Sequence, residues 1–459
     1  MTFTIRTLVL AWALVSWALP VAAGTPATIQ PSVWAAKPDV AAFDKSVDEH
    51  LAAARASTQT LVAVHGPRTV ENTLQPFDDA LRELHSAGYL SSLMESVHPD
   101  STFRDHATAA LGKVSSAQSD ISLNPAVYHA LAAVDAKGAD AATQYYLKRQ
   151  LLEFRLAGVD KDAKTRAELK KLQDAQTEQV SAYDRNIADD VRHISVAPGD
   201  LTGLPPDFIA SHAPGTDGKI SISTAYPDAG PVFTYAQSAE VRRNLRTQFD
   251  NRGYPKNLAV LRDMLKTRER IAQLLGYPNW ADYNAADKMI GHGASIGAFI
   301  EATHAATRAP AEREFQMLLA EKRKDDPSAT GLGIDETALY SERVRRAAYD
   351  FDSQSVRPYF PYERVKQGIL DTAATLFHVS FEREPAAPAW DPSVEIWLVR
   401  DQGQVIGRIY LDMHPREGKF SHAAMYEVRD GARGRQLPEA ALVCNLPSPT
   451  ATDPGLMTV

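Results

Sequence analysis

A mainly α-helical protein with a small β-sheet near its C-terminus is what this 459-residue chain predicts. Three observations carry that expectation. Apolar residues recur at three- and four-residue steps through much of the chain up to about residue 192. The same period returns at Ala239, and near the C-terminus it gives way to alternation on either side of a glycine turn.

Taken in order, the first 23 residues read as an export signal. Arg6 supplies the positive flank, Leu8 to Ala22 is the apolar region, and Val21-Ala22-Ala23 offers small residues for cleavage before Gly24. The apolar run falls short of the ~20 residues a bilayer span needs. A periplasmic or secreted location is therefore expected, with no stable membrane insertion after cleavage. Thr69 and Asn72 are capping candidates ahead of a periodic segment that ends near Gly88. Ala142 to Leu156 carries Leu147, Leu151 and Phe154 on one stripe. A turn at Gly158 to Asp162 leads to a long amphipathic helix from Arg166, with Leu169, Leu172, Val180, Tyr183 and Ile187 on its apolar face. These two helices are expected to pair antiparallel.

Between Ile194 and Tyr235 the pattern shifts to prolines, glycines and short alternating runs such as Lys219 to Ser223. This marks a boundary between an N-terminal helical domain, residues 24–230, and a second domain, residues 231–459. In the second domain Gly276 ends one helix and Asn279 caps the next. Val394, Ile396 and Leu398 alternate, Asp401-Gln402-Gly403 turns, and Val405, Ile409 and Leu411 alternate again, which predicts a β-hairpin. Phe420 to Tyr426 and Ala440 to Leu446 could add further strands.

Composition narrows the function. A net charge of -8 with no long basic run leaves nothing to neutralise a row of phosphates, so nucleic acid is not an expected partner. Cys444 is the only cysteine, and in its apolar surroundings reads as a small buried residue rather than a nucleophile. Gly293 to Gly297 matches G-x-S-x-G, but a helix precedes it where that motif needs a strand, so Ser295 reads as a helix cap. Gly291-x-Gly293 misses the dinucleotide fingerprint, and no phosphate-loop motif occurs. Glu301 with His304 and Glu95 with His98 have the spacing of di-metal bundles. Pro99 disfavours helical geometry at His98, however, and the two pairs fall on opposite sides of the boundary. His414, Glu417 and His422 border a predicted turn and read as structural polar residues rather than metal ligands.

The segment from Val405 to Ala424, VIGRIYLDMHPREGKFSHAA, resembles the run leading into the zinc helix of the thimet oligopeptidase, oligopeptidase A and peptidyl-dipeptidase family of metallopeptidases. The pattern there is Y-L-D-[LM]-x-P-R-x-G-K-x-x-H-A, and Tyr410, Leu411, Asp412, Pro415, Arg416, Gly418, Lys419, His422 and Ala423 all fit. Leu151 to Gln173 and Arg268 to Met289 look like further segments of the same family. The resemblance implies a neurolysin-like zincin architecture that hydrolyses short peptides, as an endopeptidase or a peptidyl-dipeptidase. It implies one zinc ion held by the two histidines of H-E-x-x-H and by a Glu on a following helix.

Such a site needs two imidazoles four residues apart on one helical face. No two of the 13 histidines are separated by four. The chain is thus expected to be the N-terminal portion of such an enzyme, ending just before the motif, with an incomplete catalytic domain. Zinc belongs to the complete family member, and this chain alone is expected to bind none and to be inactive. The apolar face of Val394 to Leu446 is expected to seek a partner. The alternative is a noncatalytic exported helical peptide-binding protein. By the same resemblance a strand beside the zinc helix grips the substrate main chain, which makes His422, Ala423, Ala424 and Asn445 the substrate-binding candidates. The other reading of those residues is ordinary core strands with Asn445 closing a turn.

Overall fold

A computed structural model describes residues 39–384, 388–450 and 454–457; the segment read as an export signal lies outside the described residues. Four helices come first: α1 (Val40–Val62), α2 (Gln75–Val97), α3 (Ser101–Ser122) and α4 (Pro125–Ala132). The Asp39, Asp100 and Asn124 side chains cap α1, α3 and α4, accepting from backbone N–H groups of the first turn. Each such cap is worth about 1 kcal/mol. Phe43, Val47 and Leu51 of α1 interlock with Phe77, Leu84 and Met94 of α2 and with Phe103 and Val114 of α3. Each is almost fully buried, and a buried side chain of this size contributes roughly 1.5–3 kcal/mol.

Thr69 and Asn72 form a reciprocal capping box, as expected, and open a short π-turn that feeds α2. Gly88 does not end the helix, which continues to Val97. Its missing side chain serves packing instead, because a Cβ there would sit 3.3 Å from Val114 Cγ1 on α3.

Next come α5 (Ala141–Ala157) and α6 (Ala163–Ala188), joined by a turn in which Gly158 adopts φ 98° and Asp162 caps the second helix. The expected antiparallel pairing of these two is not their main contact. α6 packs against α3 and, further on, against α10 (Lys256–Leu275), while α5 rests on α3 and α4. The reason lies at Leu169, the one fully buried apolar residue of α6, which joins Leu123, Ile271 and Leu275 in a small separate core.

Residues 193–250 make a compact insert of β1 (His193–Val196), α7 (Pro206–Ser211), β2 (Ile220–Ser223), α8 (Tyr226–Tyr235) and α9 (Ala239–Asp250) around their own apolar cluster. The two strands pair antiparallel. After α10, Gly276 at φ 92° ends the helix and the Asn279 side chain caps α11 (Trp280–Ala285), both as predicted. α12 (Gly293–Asp325), α13 (Thr337–Tyr349), α14 (Ser353–Val356) and α15 (Tyr362–Phe377) follow. α12 runs for 33 residues, and from 297 to 317 every residue is exposed.

The C-terminal sheet contains β3 (Ser380–Arg383), β4 (Glu395–Asp401), β5 (Gln404–Asp412), β6 (Ala424–Arg429) and β7 (Glu439–Val443), in the order β3-β4-β5-β7-β6. The predicted hairpin is β4–β5, and Gln402 and Gly403 turn it with φ 46° and 82°. Both central residues at positive φ is the geometry that matches strand twist in a two-residue loop. β7 then inserts parallel to β5, which places it between β5 and β6.

Both faces of the sheet are covered. Ile396, Tyr410, Val428 and Ala441 join the core of the N-terminal helices, whereas Trp397, Ile409, Leu411 and Leu442 pack with Tyr362, Met413 and Met457. The two alternating stripes read from the sequence therefore fall on opposite faces. Ile396 pairs with Tyr410, so its face excludes Ile409 and Leu411.

Candidate functional site

The segment after β5 folds back on the sheet through one buried carboxylate. Asp412 is fully buried and ends β5. Its Oδ2 accepts from Trp390 Nε1 at 2.8 Å and Arg416 Nη2 at 2.7 Å; its Oδ1 accepts from Arg416 Nη1 at 2.6 Å and pairs with Lys419 Nζ at 2.8 Å. The fork of Arg416 against both oxygens is a bidentate pair, the strongest form of such contact. Burial works to raise the Asp412 pKa, but hydrogen bonds from Arg416 and the charges of Lys419 and Arg416 more than offset it, so the carboxyl is held below its ordinary range.

Lys419 Nζ also reaches the backbone carbonyls of Asp412 at 2.9 Å, His414 at 2.6 Å and Cys444 at 2.6 Å. One ammonium thus stitches β5, the returning loop and the end of β7 together. Burial draws the lysine pKa below its usual value, with Asp412 opposing. Gly418 lets the loop pass, since it sits at φ 73° and a Cβ there would collide with the Arg104 guanidinium. The loop is pinned to the C-terminal end of α2 by Arg416 Nη2 on Val97 O at 2.6 Å and by Phe420 N on Ser96 O at 2.7 Å.

This clasp delivers the predicted substrate-binding residues to one place. Asn445 Nδ2 donates to the carbonyls of Phe420 and His422, each at 2.9 Å, closing the turn into β6. His422 and Ala423 are exposed, and Ala424 is the first residue of β6, paired with Val443. His422 Nδ1 accepts from Ala423 N at 2.7 Å, so the proton of a neutral ring sits on Nε2. The ring stands edge-on to Tyr226 of α8, 5.0 Å between centroids. Tyr226 was not legible as a neighbour, because nothing local links the start of α8 to a loop near the C-terminus.

The topology separates the two strands considered for peptide binding. Among the described residues β6 is an edge strand, bonded to β7 on one side only, with Met425 and Glu427 exposed. β7 has neighbours on both sides, so it offers no free main-chain row; Asn445 acts through its side chain. An edge strand presents the alternating N–H and C=O groups that an extended peptide can pair with.

Other candidates disperse. His414 lies against Tyr362, 4.5 Å between centroids, and its Nδ1 is 3.2 Å from Leu446 O. Ser295 is in the first turn of α12, three residues after the N-cap His292, so it is not itself the cap. Glu301 and His304 lie on the exposed stretch of α12, while His98 ends α2 with extended geometry ahead of Pro99. Glu95 instead accepts from Thr108 Oγ1 at 2.8 Å. Burial raises the Cys444 thiol pKa, which keeps it protonated and unreactive near neutral pH.

Residues 232–459 match the model of peptidase family M3. The chain is 30% identical over 332 residues to the thimet-like oligopeptidase of Dictyostelium discoideum, covering 68% of this chain and 49% of that protein. It is 25% identical over 419 residues to saccharolysin of Saccharomyces cerevisiae, covering 85% and 59%. With oligopeptidase A of Escherichia coli the identity is 24% over 458 residues, covering 91% and 66%.

The chain belongs to peptidase family M3. It spans about half to two thirds of the length of these M3 relatives. The M3 family comprises zinc-dependent metallopeptidases that act on peptides. Among the described residues of this M3 chain, no three His, Cys, Asp or Glu side chains gather closely enough to hold an ion. His50 with Glu83, His85 with Asp430, His106 with Asp44 and His212 with Asp228 are pairs that tie elements together. The described residues therefore do not fit a zinc centre.

Proposed function

We propose that the chain serves a zinc metallopeptidase of the oligopeptidase type, hydrolysing peptide bonds in short peptides, and that the part described here supplies the substrate-gripping edge rather than the zinc centre. The observation that carries this reading is the position of β6 at the end of the sheet, with Met425 and Glu427 exposed, held by the Asp412–Lys419 clasp and by Asn445. Main-chain pairing holds a peptide with little regard for its sequence, which suits an enzyme acting on varied short peptides. His422 Nε2, at the head of the strand, would add one donor to a substrate carbonyl.

The polypeptide by itself would then bind peptide and leave it intact. Titrating a fluorescent pentapeptide and following its anisotropy tests the edge. Ala424→Pro, which removes one main-chain N–H at the start of β6, should weaken binding about tenfold. Unchanged affinity in that variant would sink the reading. Export to the periplasm or the medium belongs to the same proposal, on the strength of Arg6, the apolar run and the small residues before Gly24. N-terminal sequencing of protein recovered outside the cytoplasm should begin at Gly24.

A further inference from the structure

Four helices of the N-terminal half enclose an open cavity of about 810 Å³, bounded by α2, α3, α5 and α6. That size falls within the range typical of ligand pockets. α2 and α5 touch across its apolar wall through Phe77 and Phe154, whose ring centroids are 5.7 Å apart, and Leu81 and Leu84 extend that wall. The rest of the lining differs in chemistry. Gln118 of α3, Gln150 of α5 and Gln176 of α6 bring side-chain amides from three helices to the same space, and none of these amides bonds to another described residue.

Among the described residues, no lysine or arginine lines the cavity. The carboxylate and the imidazole in the lining are already engaged, Glu153 by Arg149 Nε at 2.7 Å and His85 by Asp430 at 2.7 Å. Tyr89 completes the titratable set, and burial with the carboxylates of Glu427 and Asp430 drives its pKa upward, so it stays neutral. No free charge therefore awaits a charged ligand.

We propose that this cavity is a binding site for a short uncharged peptide, its main chain paired with the amides of Gln118, Gln150 and Gln176 and its apolar side chains set against the partly exposed Leu81, Leu111 and Val180. A carboxamide offers one acceptor and two donors, the complement of a peptide bond. Binding replaces water on the three amides with equivalent partners and removes the apolar surface of Leu81, Leu111 and Val180 from water. The inference goes beyond the β6 edge and stands if that reading fails.

The probe is acetyl-Ala-Leu-Leu-Phe-amide carrying a benzophenone in place of the phenylalanine ring. Photolysis followed by peptide mapping should place crosslinks on α2, α3, α5 or α6. Ser181→Trp, which fills the cavity from α6, should abolish those crosslinks, whereas Ala424→Pro should leave them unchanged. The double variant Gln150→Leu/Gln176→Leu changes only polar lining groups and should weaken capture at least tenfold with unchanged helix content, which decides the matter if Ser181→Trp fails to fold. Crosslinks confined to β6 would overturn the cavity site and leave the edge reading intact. Capture that persists in the double variant, or no capture at all, would overturn it as well.

Discussion

Lys419 Nζ lies 2.8 Å from Asp412 Oδ1, and neither side chain is exposed to solvent. An ion pair removed from water is costly to split, since the remaining charge keeps its desolvation penalty without its partner. Here the pair also satisfies three backbone carbonyls, so the loop from 413 to 423 and the end of β7 depend on it together.

Lys419→Met should therefore destabilise the chain by about 3 kcal/mol or more. Urea unfolding followed by far-UV circular dichroism measures it. The same variant should weaken peptide binding at β6, because Asn445 and the Phe420–His422 turn lose their anchor. A midpoint within experimental scatter of the parent would show that Arg416 alone suffices to hold Asp412.

Stability around the 193–250 insert should depend on pH through His212 and Asp228, 3.2 Å apart. The hydrogen bond with Asp228 raises the His212 pKa above its ordinary 6.5, with burial opposing. Burial works to raise the Asp228 pKa, but hydrogen bonds from His212 and Ser223 outweigh it and the pKa is lowered from 3.8. The histidine contribution is thus fully present below pH 6.5 and is lost as pH rises through the raised value. The aspartate contribution is present above pH 3.8 and is lost as pH falls through the lowered value. Thermal melts of His212→Gln should show a flatter dependence above pH 6 than the parent, and an identical slope would refute the assignment.

A quenched short peptide incubated with the purified 459-residue polypeptide should show no EDTA-sensitive hydrolysis, and metal analysis should find zinc well below one ion per chain. The described residues gather no set of three ligating side chains. Stoichiometric zinc with turnover would contradict this.

Exposed apolar side chains cluster on a few helices of the second half. Leu258, Leu261 and Leu265 form a stripe on α10, and Ile369, Leu376 and Phe377 lie on α15. Surfaces of this kind drive association. Sedimentation velocity should show concentration-dependent self-association that Leu261→Glu/Leu265→Glu reduces, with stability changed by no more than about 0.5 kcal/mol per site.

How much of this was legible follows from the range of the forces involved. Local rules placed the capping box at Thr69 and Asn72, the Gly276–Asn279 junction and the β4–β5 hairpin, because each is decided within a few residues. Gly88 misled, since its role is set by Val114 on another helix. α6 was assigned to the wrong neighbour for the same reason, Leu169 being claimed by α10 and Leu123. Asp412, Arg416 and Lys419 stood out in the motif at 405–424, yet their meeting in one buried cluster depends on β7 entering beside β5, which no alternation pattern reveals. His422, Ala423, Ala424 and Asn445 were candidates on two separate strands, and both the bond from Asn445 to the Phe420–His422 turn and the interior position of β7 came only from the tertiary structure. The cavity among α2, α3, α5 and α6 left no local trace, its walls being contributed by residues from 77 to 181.

At roughly 1.5 Å per residue, the 33 residues of α12 extend about 50 Å. With every residue from 297 to 317 in contact with solvent, and Pro310 interrupting the ladder, its amide protons have only neighbouring turns to shield them. This rod should be the first long helix to take up deuterium and the first to be nicked by trypsin at Arg308 or Arg313, well before the bundle of α1 to α4 opens.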